Sequence, residues 1–213
     1  MKTGRGRFSR DTVTTMTPDK KGTFILVIGP TGSGKSTLMK HVIDAFPGLV
    51  LPYSYTTRTK RSDHVEGKHY KFITVEEFKQ KIEAGEFLEW AEYSGNYYGT
   101  LRSEVEHELA EGKILLKEVE VQGARQIRDI LAKGELMTVF VSSGDWASLE
   151  ARVRARAPIT EEELALRKQR YEDEVTFKDE VDQVILNTEG RKEAAKADFK
   201  NLIQSVIQHN THG

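Results

Sequence analysis

The 213-residue chain has no cysteine, which excludes a disulfide framework and any thiolate zinc site and fits a reducing cytosol. It also has almost no net charge: 32 Lys and Arg against 33 Asp and Glu leave −1. That balance argues against a bulk electrostatic footprint for nucleic acid or an anionic membrane and leaves room for a local cationic cleft. Long hydrophobic runs are missing too. The longest, Phe24–Ile28, is far short of the roughly 20 residues that a membrane-spanning helix needs. The first 21 residues, rich in Thr, Arg, Gly and Lys, lack the apolar segment of a secretory signal and read as a flexible tail more readily than as an organellar leader. What is present, 38% hydrophobic and 31% charged residues, is the composition of a globular protein with a substantial core. The expectation is a cytoplasmic protein with neither nucleic acid nor membrane as partner. Monomer and homo-oligomer both remain open.

Hydrophobic periodicity then divides the chain. Thr23–Ile28 is a short apolar, β-branched run of the kind buried on both faces of a parallel sheet. A Gly-rich turn follows, then apolar residues at helical spacing over Thr37–Phe46 with Pro47-Gly48 as the stop. Leu49–Tyr53 reads as a second strand. Residues 54 to about 100 change character: charge-rich turns, short strand-like pieces and one helix near Val75–Ala84. The alternation then resumes, with helices over Ser103–Glu111, Gln122–Lys133, Asp145–Ala157, Thr160–Phe177 and Lys192–Gln208. The strands between them are Lys113–Leu116, Leu136–Val141 and Gln183–Leu186. Strands alternating with helices imply an α/β fold, a parallel sheet flanked by helices, and no internal repeat is evident.

Gly29, Pro30, Thr31, Gly32, Ser33, Gly34, Lys35 and Ser36 spell G-x-x-x-x-G-K-[ST] between a strand and a helix, the context that motif requires. Glycines let backbone N–H groups turn inward on phosphate oxygens, and the helix opening at Thr37 adds its N-terminal partial charge. Lys35 is the residue to reach the β- and γ-phosphates and Ser36 the hydroxyl ligand for Mg²⁺. The motif points to a P-loop NTPase-type core that binds ATP, without naming the acceptor.

Two further segments carry that information: Ser54-Tyr-Thr-Thr-Arg58-Thr-Lys-Arg61 with Glu66-Gly67-Lys-His-Tyr70, and Glu89-Trp-Ala-Glu-Tyr-Ser-Gly-Asn-Tyr-Tyr98-Gly99-Thr100. Together with the phosphate loop and in this order, from about Gly22 to Asn187, they resemble guanylate kinase. The resemblance implies a kinase using MgATP and GMP or dGMP, and it divides the chain into a tail (1–21), a core (22–53, 101–149 and 176–213), a small α+β GMP-binding lobe (54–100) and a helical lid (150–175). It implies that Glu89 accepts from guanine N1–H and the 2-amino group, donors that adenine lacks on that edge. Ser54 and Thr100 would place hydroxyls near guanine O6. Arg58 and Arg61 would clamp the GMP phosphate with guanidinium forks, joined by Tyr70 and Tyr98. In the lid, Arg152 and Arg156 lie four apart on one helix face and with Arg167 would neutralise charge on the transferring group. Asn187 matches a position near the ATP base and ribose.

Where the family usually has L-D-x-D-x-Q-G, this chain has Lys117-Glu118-Val-Glu120-Val-Gln122-Gly123, so both aspartates are glutamates. Glu118 is then expected at the GMP side and Glu120 at Mg²⁺ through water. Lys60 replaces the usual proline, His64 the usual glutamate, and Tyr55 is bulkier than the small residue expected. Two other functions fit the same core: a kinase of another small phosphorylated acceptor, which would need no guanine reader at Glu89, and a non-catalytic binding module, which would typically lose Lys35.

Overall fold

The computed structural model describes residues 22–60, 70–93 and 95–212, without the side chains of residues 156, 211 and 212. The tail assigned to 1–21 lies outside the described residues, as does Arg61. Strand β1 (Thr23–Ile28) is buried along its whole length. It sits between two parallel neighbours, β6 (Ile114–Glu118) and β7 (Leu136–Ser142), and β8 (Gln183–Leu186) pairs on the far side of β7. The order is β6-β1-β7-β8.

The alternation of side chains along a strand explains why β1 is apolar from Phe24 to Ile28. Ile25 and Val27 enter one cluster with Leu38 and Val42 of helix α1 (Lys35–Ala45) and Phe199 and Ile203 of α7 (Lys192–His212). Phe24, Leu26 and Ile28 enter a second cluster on the opposite face. There they meet Val105 and Leu109 of α3 (Arg102–Ala110) and Ala124 and Ile127 of α4 (Val121–Ile130). Each such side chain contributes about 1.5–3 kcal/mol on burial, and no polar position on β1 could serve both faces.

Two expectations are corrected here. Leu49–Tyr53 is not a strand: only Val50 bridges to Leu115, with Val50 N–H donating to Ile114 and Leu116 N–H to the Val50 carbonyl, both at 2.9 Å. Pro52 has no N–H to continue a ladder. Helix α4 stops at Ile130 instead of reaching Lys133, because Leu131 turns extended and packs against the sheet core.

Residues 54–101 hold a second sheet, in the order β3-β2-β5-β4. Its strands are β2 (Ser54–Thr56), β3 (Tyr70–Phe72), β4 (Phe87–Tyr93) and β5 (Asn96–Leu101). Helix α2 (Val75–Glu83) opens on a capping box between Thr74 and Glu77, which satisfies two N-terminal donors at once. It buries Phe78 against Phe87 and Tyr97, with ring centroids 4.3 and 5.3 Å apart. The register of β4 against β5 slips between Phe87 and Glu89. Such a bulge re-aims side chains. Phe87 and Trp90 both face the aromatic cluster of this sheet, whereas Leu88 joins the main core and Glu89 faces α4. Strict alternation would have put Glu89 among the aromatics.

Helices α5 (Trp146–Arg156) and α6 (Glu161–Thr176) form an antechamber with its own small core of Leu149, Val153 and Leu164, flanked by Trp146, Ile159 and Tyr171. Asp145 and Thr160 cap them, accepting from Ser148 and Glu163 N–H. Among the described residues no helix is long and apolar enough to cross a membrane.

Candidate active site

The turn after β1 passes directly into α1, whose first residues have no side-chain cap. The leading N–H groups of a helix have no intrahelical acceptor, so an uncapped end presents donors and partial positive charge to an anion. Gly34 takes φ 97°, and a Cβ there would lie 2.3 Å from Asn187 Nδ2, so glycine is required both by conformation and by space. The Asn187 amide donates to the Ser33 carbonyl at 2.7 Å, and its own N–H donates to Ser142 at 2.8 Å. Asn187 therefore ties the end of β8 to the loop.

Lys35 is buried. Its Nζ donates to the carbonyls of Gly29 and Pro30 and lies 3.3 Å from Glu118 Oε1. The Ser36 hydroxyl donates to the other Glu118 oxygen at 3.4 Å. Glu118, at the end of β6, thus meets both charged and hydroxyl groups of the loop. Glu120 lies elsewhere, lining a small pocket with Pro30, Thr31, Arg170 and Glu174. Burial pushes both the Glu120 and Glu174 carboxyls up, Glu174 to about 7, and like charge adds to it, from Glu118 on Glu120 and from Glu120 on Glu174.

A cavity of about 640 Å³ opens over the loop, walled by Thr31, Gly32, Thr37 and Glu118 on one side and by Arg152 and Arg167 of the two lid helices on the other. Arg154, between Arg152 and Arg156, is engaged with Glu150 at 2.8 Å and Glu161 at 2.9 and 3.0 Å, which matches a structural role. The Arg156 side chain lies outside the described residues. A second cavity of about 510 Å³ contains Ser54, Tyr70 and Lys117, and it shares Ser36 and Glu118 with the first. The two spaces meet at Ser36 and Glu118.

Arg58 follows β2 and its guanidinium carbon sits 5.3 Å above the Tyr70 ring. Its Nε and Nη2 are buried with no hydrogen-bond partner among the described residues. A buried guanidinium with idle donors costs free energy, and an oxyanion is the group that would satisfy it. Arg58, Glu118 and Tyr98 all lie within electrostatic reach of Tyr70: burial pushes its phenol up, Arg58 pulls it back, and Glu118 and Tyr98 raise it further.

Glu89 is buried to 7% exposure. Thr100, its partner across the hairpin, donates its hydroxyl to Oε1, so the threonine orients the carboxylate. Oε2 packs on Gly123 of α4, where an added Cβ would come within 2.8 Å. One turn on, Gln126 accepts from Trp90 N–H at 3.1 Å and donates to the Trp90 carbonyl at 2.9 Å, docking β4 on α4 as a further strand would. Burial pushes the Glu89 carboxyl up, opposed by the charge of Lys117 and the Thr100 hydroxyl. Neither Gly123 nor Gln126 nor Lys117 was singled out for a role from sequence. A glycine and a glutamine three apart in the first turns of an otherwise well-formed helix were the available signal.

This geometry has counterparts. The family model for guanylate kinase matches residues 21–206. The chain belongs to the guanylate kinase family. It is 40% identical to a guanylate kinase of Thermosynechococcus vestitus over 84% of this chain and 93% of that one, and 38% identical to one of Trichormus variabilis over 91% and 92%. The crystal structure of a guanylate kinase from Anaplasma phagocytophilum superposes with a TM-score of 0.66 at 25% identity, covering 87% of this chain and 86% of that chain. Membership of the guanylate kinase family fixes the class as an ATP-dependent phosphotransferase with a P-loop α/β fold.

Proposed function

We propose that the chain transfers the γ-phosphoryl group of ATP to GMP (or dGMP), giving ADP and GDP, as a cytoplasmic enzyme of purine nucleotide metabolism. The observation that carries the choice of acceptor is Glu89: a buried carboxylate, oriented by Thr100, in the lobe across the cleft from the phosphate loop. Guanine offers N1–H and the 2-amino group to such a carboxylate. Adenine offers neither, and a buried acceptor left unpaired costs about 1–3 kcal/mol.

In this reading ATP occupies the cavity over the loop, its phosphates wrapped by Gly29–Thr37 with Lys35 on the β- and γ-oxygens. Asn187 contributes by bracing the loop. GMP lies in the lobe of residues 54–100, with Ser54 and Thr100 at the base and Arg58, Arg61, Tyr70 and Tyr98 at the phosphate. Arg152, Arg156 and Arg167 close from the lid (150–175) onto the group in transit, excluding water that would compete as acceptor. Positioning and charge neutralisation suffice, without a covalent intermediate.

The donor set suits Mg²⁺. Ser36 and Glu118 are hard oxygen donors that touch each other, and among the described residues no cluster of three acidic or imidazole groups could hold a metal alone. An ion carried in on the ATP phosphates with retained waters is what Mg²⁺ favours. When bound, it neutralises charge on the phosphate oxygens. Glu118, not Glu120, is the carboxylate beside Ser36, so we assign it the nearer contact and leave Glu120 the more distant one. The test is ADP release from MgATP with GMP, dGMP, AMP, UMP or ribose phosphates offered separately. Strong selectivity for GMP and dGMP is expected; equal turnover of AMP would overturn the reading.

A further inference from the structure

Lys117 stands where the family usually has leucine, next to the last residue of β6 and opposite Leu26 of β1. It is buried to 6% exposure. Its Nζ lies 3.3 Å from the Pro52 carbonyl, 3.1 Å from the Tyr53 carbonyl and 2.8 Å from Ser54 Oγ. A lysine ammonium has three donors and no acceptor, so these three contacts use it fully. None is left for a ligand. Lys117 does not touch the acceptor; it acts through what it holds.

The consequence for Ser54 is directional. Its oxygen accepts from Lys117, so its own O–H cannot point at the ammonium and is left to donate into the cavity that both residues line. The consequence for Glu89 is electrostatic. Among the described residues no cation is in direct contact with Glu89, and Lys117 is the charge that favours its ionised form against burial. The influence is mutual: burial pulls the Lys117 ammonium down to about 8, while Glu89 and Glu104 hold it up. The other charges around the pair are committed elsewhere. Glu104 of α3 binds Lys71 of β3 at 2.7 Å and accepts from Tyr55 at 2.8 Å, and Glu118 faces Lys35.

We propose that Lys117 is a specificity-determining positioning residue of the acceptor site, holding the 52–54 segment against β6, turning the Ser54 hydroxyl toward the base and setting a buried positive charge within electrostatic reach of Glu89. The inference rests on the reading of Ser54 and Glu89 as base contacts. It makes recognition of the purine edge depend on a cation 28 residues away in sequence from Glu89, on a different sheet.

Lys117→Met keeps the length of the side chain and removes the charge. Its KM for GMP should rise about 10- to 100-fold, the range expected for a recognition contact whose partner is left buried and misdirected, while KM for ATP and kcat at saturating GMP stay within about twofold. The acid limb of its kcat/KM profile for GMP should move to higher pH than the parent's, because Glu89 then ionises without its counter-charge. Loss of packing alone would not move that limb. Ser54→Ala should raise KM for GMP but leave the acid limb in place, since the counter-charge remains. This second variant keeps the proposal exposed if Lys117→Met does not fold: KM for GMP unchanged in Ser54→Ala overturns it. Glu89→Gln separates the two levels. If it loses the preference for GMP over AMP while Lys117→Met matches the parent in KM and acid limb, only the role of Lys117 falls. If Glu89→Gln keeps the preference, the base reading falls and the proposal with it.

Discussion

Gly123→Ala offers a test in which stability and recognition move in opposite directions. Gly123 lies in the first turns of α4 at ordinary helical geometry, so alanine removes unfolded-chain freedom and should add about 0.5–1 kcal/mol of helix stability. For a chain of this length that is about 2–4 °C in Tm for each kcal/mol. The new methyl, however, would lie 2.8 Å from Glu89 Oε2 and 3.3 Å from its carboxyl carbon. Ordinary contact needs about 3.4 Å, so the carboxylate must retreat by roughly 0.6 Å. Thr100 holds its other oxygen, so retreat means rotation out of the plane in which two guanine donors would be met. A displacement near 1 Å costs on the order of 100-fold; 0.6 Å should cost about 10- to 30-fold in kcat/KM for GMP. KM for ATP should stay within twofold, because the phosphate loop has no contact with Gly123. Thermal unfolding and steady-state kinetics on the same preparation decide it. A variant with unchanged or raised Tm and kcat/KM for GMP within twofold of the parent would refute the placement of Glu89 at the base.

Arg58→Lys replaces a fork by a point charge and should raise KM for GMP about 10-fold or more, measured at saturating MgATP; an unchanged KM would remove Arg58 from the phosphate site. Lys35→Ala should lower turnover by about 100- to 1000-fold, as loss of a charge-stabilising donor does, with the fold intact by circular dichroism. Asp182 accepts from both the N–H and the hydroxyl of Thr138 at 2.7 Å, so Asp182→Ala should destabilise by about 2–4 kcal/mol without changing KM for either substrate. Burial, reinforced by the Glu120 charge, keeps Glu174 protonated up to about 7. The folded chain therefore retains a proton that the unfolded chain releases near 4.5. The stability this gives is full below that value and is lost as pH rises through 7. Glu174→Gln should accordingly gain Tm over the parent at pH 8 and lose the advantage by pH 5; a gain independent of pH would refute the assignment.

What was legible in the sequence is what is local. The β1 run and the phosphate loop lie within about 14 consecutive residues, and each residue type there follows from its own position: five apolar residues because both faces are covered, glycines because the backbone must approach an anion. Gln183–Leu186 was bounded correctly for the same reason. What was not legible depends on distant partners. Leu49–Tyr53 has strand composition, but the sheet meets it at Val50 alone. The bulge at Phe87–Glu89 leaves no mark on an alternating sequence, yet it decides which face Glu89 reaches. Glu118 and Glu120 look equivalent two residues apart, and only the loop 82 residues earlier in the chain shows that Glu118 is the one beside Ser36.

The departures from the family pattern sort by where they point. Tyr55 is bulkier than expected, but on β2 it faces away from Ser54, into the aromatic cluster of the small sheet, and its hydroxyl is taken by Glu104 and Lys71 at 2.8 Å. Lys117 enters a position that leucine would fill, and two backbone carbonyls and Ser54 accept all its protons. Tyr55 and Lys117 are thus each satisfied by groups of this chain itself. The groups that face the cleft, Ser54, Arg58, Glu89, Lys35 and Ser36, keep the family's chemistry. Variation of this kind alters the electrostatic background of the site while conserving its contacts, so its effects should appear in KM and pH dependence for the acceptor before they appear in the rate of phosphoryl transfer.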